Sequence, residues 1–225
     1  MKTLILSGML NEDGTFLLHI PFTADEEDIA PLPASRATGD EVVEVDLLGD
    51  KDTVLAQTLI EARLTCSQPT GAMSPLSRKR QVSGLVALPE EMIGLRLRWR
   101  GRVIYDTRAP LGRPTVYFTW KPPTNSVVSG FQLVTWQASH PAEVPMHFLV
   151  FTQERDGTRL AVASIMARRG ELPSASQILL NADEFSPGTV CLCIIVSDGF
   201  HQTSAMSEPF AIRRGSAQSR IRQQP

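Results

Sequence analysis

The sequence predicts an all-β protein built as two tandem β-sandwich domains with a flexible C-terminal tail, and three observations carry that prediction. Sixteen prolines and fifteen glycines punctuate the 225 residues, too often for long helices but in keeping with short strands joined by turns. Apolar residues recur at every second position, most clearly at Val43, Val45 and Leu47, with Val42, Glu44 and Asp46 on the other face. The third observation is the segment from Phe185 to Gly199, where a Pro187-Gly188 turn, the run Val190-Cys191-Leu192-Cys193-Ile194-Ile195-Val196 and an Asp198-Gly199 turn follow one another. A strand apolar on both faces belongs inside a sheet that is covered on both sides.

Taken in order, Leu4-Ile5-Leu6, the turn Asn11-Glu12-Asp13-Gly14 and residues 15–20 form a hairpin in which Gly14 supplies a positive φ. Residues 23–39 contain Asp25-Glu26-Glu27-Asp28 and Pro31-Leu32-Pro33 without apolar periodicity, which reads as a polar loop. Residues 41–48 form the clearest strand, and Gly49-Asp50-Lys51-Asp52 returns the chain into a partner strand over residues 53–62. A second loop over residues 67–79 precedes a strand over residues 81–88. Arg96-Leu97-Arg98-Trp99-Arg100 alternates basic and apolar residues, and Gly101-Arg102 turns it into Val103-Ile104-Tyr105.

Leu111-Gly112-Arg113-Pro114 reads as a short linker, so the domains are expected over residues 1–111 and 112–213. In the second, strands are predicted over residues 115–120, 130–138, 146–153, 159–166, 176–180, 190–197 and 202–212. Seven strands in about 100 residues is the size of an immunoglobulin-like sandwich. The tail over residues 214–225 follows Arg213, lacks acids and holds one isolated isoleucine, too little to order itself.

Phe131-Gln132-Leu133-Val134-Thr135-Trp136 resembles the second strand of a fibronectin type III domain, whose tryptophan packs between the sheets. Phe185-Ser186-Pro187-Gly188-Thr189-Val190-Cys191 resembles that family's turn into its sixth strand, with Cys191 where the family usually has a tyrosine. A thiol there removes the corner hydrogen bond that the tyrosine hydroxyl would make. The chain is also similar to paired β-sandwich modules that follow the catalytic domains of some bacterial secreted metallopeptidase-like proteins. That similarity is carried by residues 82–89, Ser197-Asp198-Gly199-Phe200 and Ser207-Glu208-Pro209-Phe210. These are turn and core motifs, so the resemblance implies an accessory, non-catalytic module.

Composition narrows the function by exclusion. A net charge of −2 gives no long-range field for a polyanion, so nucleic acid is not the expected partner. No stretch approaches the roughly 18 apolar residues of a membrane span, and the N-terminal apolar run is too short for a signal peptide. Localisation stays open: those features and reduced thiols suggest cytoplasm, and the resemblance suggests export. No Gly-x-Ser-x-Gly elbow, phosphate-cradling loop or dinucleotide fingerprint occurs. His19, His140, His147 and His201 lack the HExxH spacing of a zinc site.

Cys191 and Cys193 share one face of a strand, with Cα atoms about 6.5 Å apart and parallel side chains that disfavour a disulfide. With Cys66 they are expected to be reduced, and on this strand to act as small core hydrophobes. The sharper alternative is a soft-metal site made by Cys191, Cys193 and His201. Asp25-Glu26-Glu27-Asp28 lacks the ligand spacing of a calcium loop and reads as solvated acid. Arginines in Arg78-Lys79-Arg80, in residues 96–102 and in residues 213–222 read as edge and surface charges, with an anionic partner surface as the alternative. Trp99 is expected in the core.

The expectation is therefore a non-catalytic binding or scaffolding protein with no catalytic residues, metal ligands or cofactor, and with a protein partner. The loops over residues 23–39, 67–79, 122–129 and 139–145 are the expected contact surface. The alternatives are a metal-dependent hydrolase with a site assembled between the domains, or a structural subunit of a surface assembly. The oligomeric state is left open.

Overall fold

The computed structural model describes residues 2–25, 41–65, 79–123, 127–167 and 176–213. The described chain is all-β and contains no α-helix. It divides into two compact units, residues 1–111 with 198–201, and residues 112–197 with the chain from 202 onward. Cys66, Asp28, the tail and most of the loops over residues 23–39 and 67–79 lie outside the described residues.

In the first unit, β1 (Lys2–Asn11), β2 (Phe16–Asp25), β3 (Val42–Leu48), β4 (Val54–Thr65), β5 (Lys79–Ala87), β6 (Gly94–Trp99) and β7 (Arg102–Arg108) form one antiparallel sheet. Its order is β2-β1-β5-β4-β3-β6-β7. The sandwich layers are thus two halves of one sheet, and β4 is the strand that passes between them. Residues 54–61 of β4 pair with β3 and residues 61–65 pair with β5, so Glu61 faces Val42 on one side and Ser83 on the other. A strand that changes partners in mid-course lets a sheet fold over itself. The folding-over brings the edge strands together: Phe16 of β2 and Tyr105 of β7 meet edge to face with ring centroids 6.3 Å apart. Between the layers lie Leu4, Leu6, Val43, Val45, Leu47, Leu97 and Trp99. Both the alternation along β3 and the core position of Trp99 are as the sequence predicts.

The corner at β4 needs Gly84 on β5. A Cβ there would lie 2.4 Å from Ile60 Cγ2, inside any real contact distance. Ile60 is β-branched and 4% exposed, so its methyl group has nowhere to go. Gly84→Ala is expected to destabilise the first unit by about 1–3 kcal/mol. The double variant with Ile60→Ala is expected to lose less than the sum of the single losses. Urea unfolding checks this, and an unchanged midpoint for Gly84→Ala would contradict it.

One turn chemistry recurs in both units. In Asn11-Glu12-Asp13-Gly14-Thr15, Thr15 N–H donates to Asp13 Oδ1 at 2.8 Å, and Gly14 has φ +87°. In Glu154-Arg155-Asp156-Gly157-Thr158, Thr158 N–H donates to Asp156 Oδ1 at 2.9 Å, and Gly157 has φ +89°. Both carboxyls sit below the usual carboxylate range, chiefly because that backbone N–H stabilises their charged form. The β6–β7 turn falls one residue earlier than Gly101-Arg102. Trp99 pairs with Arg102, so Arg100 and Gly101 form the turn with φ of +52° and +72°. A two-residue hairpin turn of this hand matches the twist of the strands.

The second unit contains β8 (Thr115–Phe118), β9 (Val127–Val128), β10 (Phe131–Ser139), β11 (Met146–Glu154), β12 (Arg159–Ala167), β13 (Ser176–Asn181), β14 (Gly188–Ser197), β15 (Gln202–Met206) and β16 (Phe210–Ile212). A three-stranded sheet, β13-β10-β8, faces a sheet ordered β12-β11-β14-β16-β9, with β15 also paired to β14. Val134 and Trp136 of β10 meet Phe148, Leu192, Ile194 and Phe210 in one core. Trp120 packs edge to face on Phe210 at 5.3 Å.

Two expectations are corrected here. The predicted strand over residues 202–212 is broken at Ser207-Glu208-Pro209 into β15 and β16. Pro209 has no N–H to give a ladder, and Ser207 closes the gap: its Oγ accepts from Leu192 N–H at 2.9 Å, and its own N–H donates to Leu192 O at 2.8 Å. The expected loop over residues 122–129 contains β9, whose Val127 and Val128 pair in parallel with Ala211 and Ile212.

Candidate functional site

The polar residues singled out by sequence are dispersed over the described chain. His19 Nδ1 lies 3.1 Å from Ser7 Oγ on the β1–β2 pair, with no carboxylate on the ring to complete a triad among the described residues. His147 Nε2 lies 2.7 Å from Ser164 Oγ on β11 and β12. His140 is buried, and its Nδ1 accepts the Ala142 N–H at 3.0 Å, which makes residues 139–145 a structured turn. Among the described residues no three His, Cys, Asp or Glu side chains lie together as metal ligands.

His201 is tied into the β14–β15 turn. The Asp198 side chain is fully buried, and its Oδ1 accepts from Phe200 N–H at 2.8 Å and His201 N–H at 2.6 Å. Oδ2 lies 3.0 Å from His201 Nδ1. The Ser197-Asp198-Gly199-Phe200 motif is thus a turn held by one carboxylate. Cys191 and Cys193 lie further back along β14, and the alternative of a metal site joining them to His201 finds no such cluster among the described residues.

The burial expected for the thiols is found at Cys193 and is partial at Cys191. Val190, Leu192, Ile194 and Val196 of β14 enter the core, which puts Cys191, Cys193 and Ile195 on the outer face of the sheet. Both thiols are free; Cys191 is half-buried and Cys193 is 4% exposed. Cys193 is covered by its neighbours on that face, where Phe151 stands opposite it on β11 and Met206 opposite it on β15. Its Sγ–H donates to Gln153 Oε1 at 3.5 Å. Burial pushes the Cys193 thiol above its usual value and Cys191 adds to this, while Arg159 opposes it. A groove of about 350 Å³ opens beside them, lined by Gln153, Glu154, Arg155, Cys191, Met206 and Pro209 among others.

On the first unit, the basic alternation of β6 serves an ion-pair ladder. Asp46 is 0% exposed on the face of β3 opposite Val45 and Leu47. Its Oδ1 accepts from Gln57 Nε2 at 2.8 Å, and Arg98 Nη1 lies 2.8 Å from Oδ2 as an ion pair without the alignment of a hydrogen bond. Arg96 Nε donates to Asp106 Oδ2 at 2.7 Å, and Arg108 pairs with both Asp106 and Asp52. Burial works against the Asp106 charge, but hydrogen bonds from Arg96 and Arg108 outweigh it and hold the carboxyl below its usual range. Arginines 96, 98 and 108 are therefore matched by acids of their own sheet.

In the second unit, large apolar side chains are exposed on the outer face of the three-stranded sheet. Leu133 and Leu179 are register partners on β10 and β13, and both are more than half exposed. Phe131 lies two residues along β10 and is 67% exposed. Because Val134, Trp136 and Leu180 point into the core, period two fixes Phe131, Leu133 and Leu179 outward. Trp136 in the sequence is the signal that could have found them: Val134, two residues back, is buried with it, and Leu133 and Phe131 fall on the opposite parity.

Among the described residues no helix is long and apolar enough to cross a membrane. No known protein family matches the chain, and no curated protein is similar to it.

Proposed function

We propose that the protein is a non-catalytic binding or scaffolding protein whose second unit docks a protein partner on the outer face of β13-β10-β8. The observation that supports this most is the cluster of Phe131, Leu133 and Leu179, three large apolar side chains side by side in solvent on a rigid sheet. Exposed apolar side chains scattered singly are ordinary, whereas a contiguous group is a feature of interaction surfaces. Among the described residues β13 is also an edge strand, which offers backbone groups for a partner segment to pair with.

A fibronectin type III-like character for this unit is part of the proposal. It is supported by a three-stranded sheet facing a larger one and by Trp136 packed between them. The likeness to accessory modules of bacterial secreted metallopeptidase-like proteins agrees with a supporting role, since its motif residues Asp198 and Ser207 hold a turn and a strand break.

The test is capture from native lysate by the wild-type chain and by Leu133→Glu/Leu179→Glu, with circular dichroism confirming that both are folded. The specific partner recovered by the wild type is expected to be lost with the double variant. Undiminished recovery by the double variant, with loss on alanine substitution in residues 23–39 or 67–79, would place the contact on the loops instead.

A further inference from the structure

We infer that Cys191, Cys193 and Met206 form a binding site for one soft monovalent metal ion, with copper(I) as the ion that fits the donors. The site lies on the larger sheet of the second unit, so it is independent of the docking face proposed on the smaller one.

Strand register sets the three side chains on one face of the sheet, where the Cys193 Sγ–H donates to Gln153 Oε1 and would turn from it to take a metal ion. Residues 190, 192, 194 and 196 of β14 fill the core, so Cys191 and Cys193 share the opposite face. Cys193 stands directly across the β14–β15 ladder from Met206, and paired residues in a ladder project to the same side. Cys191 and Met206 both line the groove of about 350 Å³. Met206 is 59% exposed, Cys191 half-buried and Cys193 4% exposed, which orders the donors from the solvent side inward.

The donor chemistry selects the ion. Thiolate and thioether are soft ligands that favour copper(I). Zinc prefers four ligands drawn from Cys, His and carboxylate, and among the described residues no three of these lie together. A disulfide needs sulfurs about 2.05 Å apart, which two parallel side chains on one strand do not reach. A metal ion accepts them at nearly twice that separation, within reach of Cα atoms about 6.5 Å apart after rotation about χ1.

The charge also balances. Each thiol releases its proton to solvent as its sulfur–metal bond forms, so two thiolates and one copper(I) leave a single negative charge. Arg155 lines the groove, and Arg159 acts on Cys193 with its positive charge. No change of copper oxidation state is required.

The test is an anaerobic titration of the reduced full chain with copper(I) held by a colorimetric chelator, together with mass spectrometric mapping of thiol alkylation. One equivalent of copper is expected to pass to the wild type and to protect Cys191 and Cys193 from alkylation. Cys66→Ser should bind as the wild type does. Cys191→Ser and Cys193→Ser should each lose the transfer, and Met206→Leu should weaken it about tenfold by removing one soft donor. Circular dichroism of each variant separates lost binding from lost folding, and the alkylation pattern of the wild type needs no variant. Failure of the wild type to take copper, alkylation unaffected by copper, or transfer retained without both thiols would overturn the site. An unchanged affinity in Met206→Leu would overturn the three-sulfur set.

Discussion

Replacing Trp136 by alanine is expected to cost the second unit about 3–5 kcal/mol, the usual range for removing a fully buried tryptophan. The side chain is 0% exposed, lies 6.2 Å from the Phe148 ring and joins the two sheets in one core. Alanine would leave a void that strands pinned by ladders on either side cannot collapse to fill. Trp136→Phe should cost far less. Among the described residues the buried indole Nε1 has no hydrogen-bond partner, and phenylalanine removes that donor along with part of the ring volume. An orphaned buried donor costs about 1–3 kcal/mol, which offsets part of the lost packing. Hydrogen exchange read on β10, β11 and β14 during urea unfolding checks both variants. Equal losses for alanine and phenylalanine would contradict this, since phenylalanine keeps most of the ring packing that alanine gives up.

Replacing Arg98 by methionine is expected to cost the first unit about 2–4 kcal/mol, at or just below the range for stranding a buried charge. Asp46 is fully buried, while the Arg98 side chain is 29% exposed, so the carboxylate bears the larger desolvation and arginine supplies its countercharge. Gln57 would still donate to Oδ1, but a neutral amide does not replace a guanidinium. The second half of the prediction separates charge from packing: Asp46→Leu/Arg98→Met should regain most of the loss, because two apolar side chains need no partners. Urea midpoints of the single and double variants decide this. A loss below about 0.5 kcal/mol for Arg98→Met would mark the pair as an ordinary surface contact.

The differences between sequence and structure trace to particular residues. Val43, Val45 and Leu47 were legible because one face of β3 is buried and period two then fixes every side chain. The same rule says that Cys191 and Cys193 share a face but not which one, since β14 is apolar on both. Only the chain packed against it decides. The partner of the thiols depended on hairpin register: the four-residue turn held by Asp198 sets Met206 opposite Cys193 and keeps His201 at the turn itself. The break between β15 and β16 had a signal in Pro209, which a continuous paired strand does not accommodate. β9 had none, because two valines carry no periodicity. The burial of Asp46 depends on Gln57 and Arg98 from two other strands, which no local pattern reveals.

The most direct measurement of the proposed role is photo-crosslinking from position 179 in native lysate, with position 111 as the reference. Leu111 is 89% exposed and lies between β7 and β8, outside the strands that carry Leu133 and Leu179. A photoreactive side chain at position 179 is expected to give one discrete protein adduct, absent from position 111 and lost when Leu133→Glu is added. Absence of any adduct from position 179, or the same adducts from both positions, would contradict a docking surface on β10 and β13.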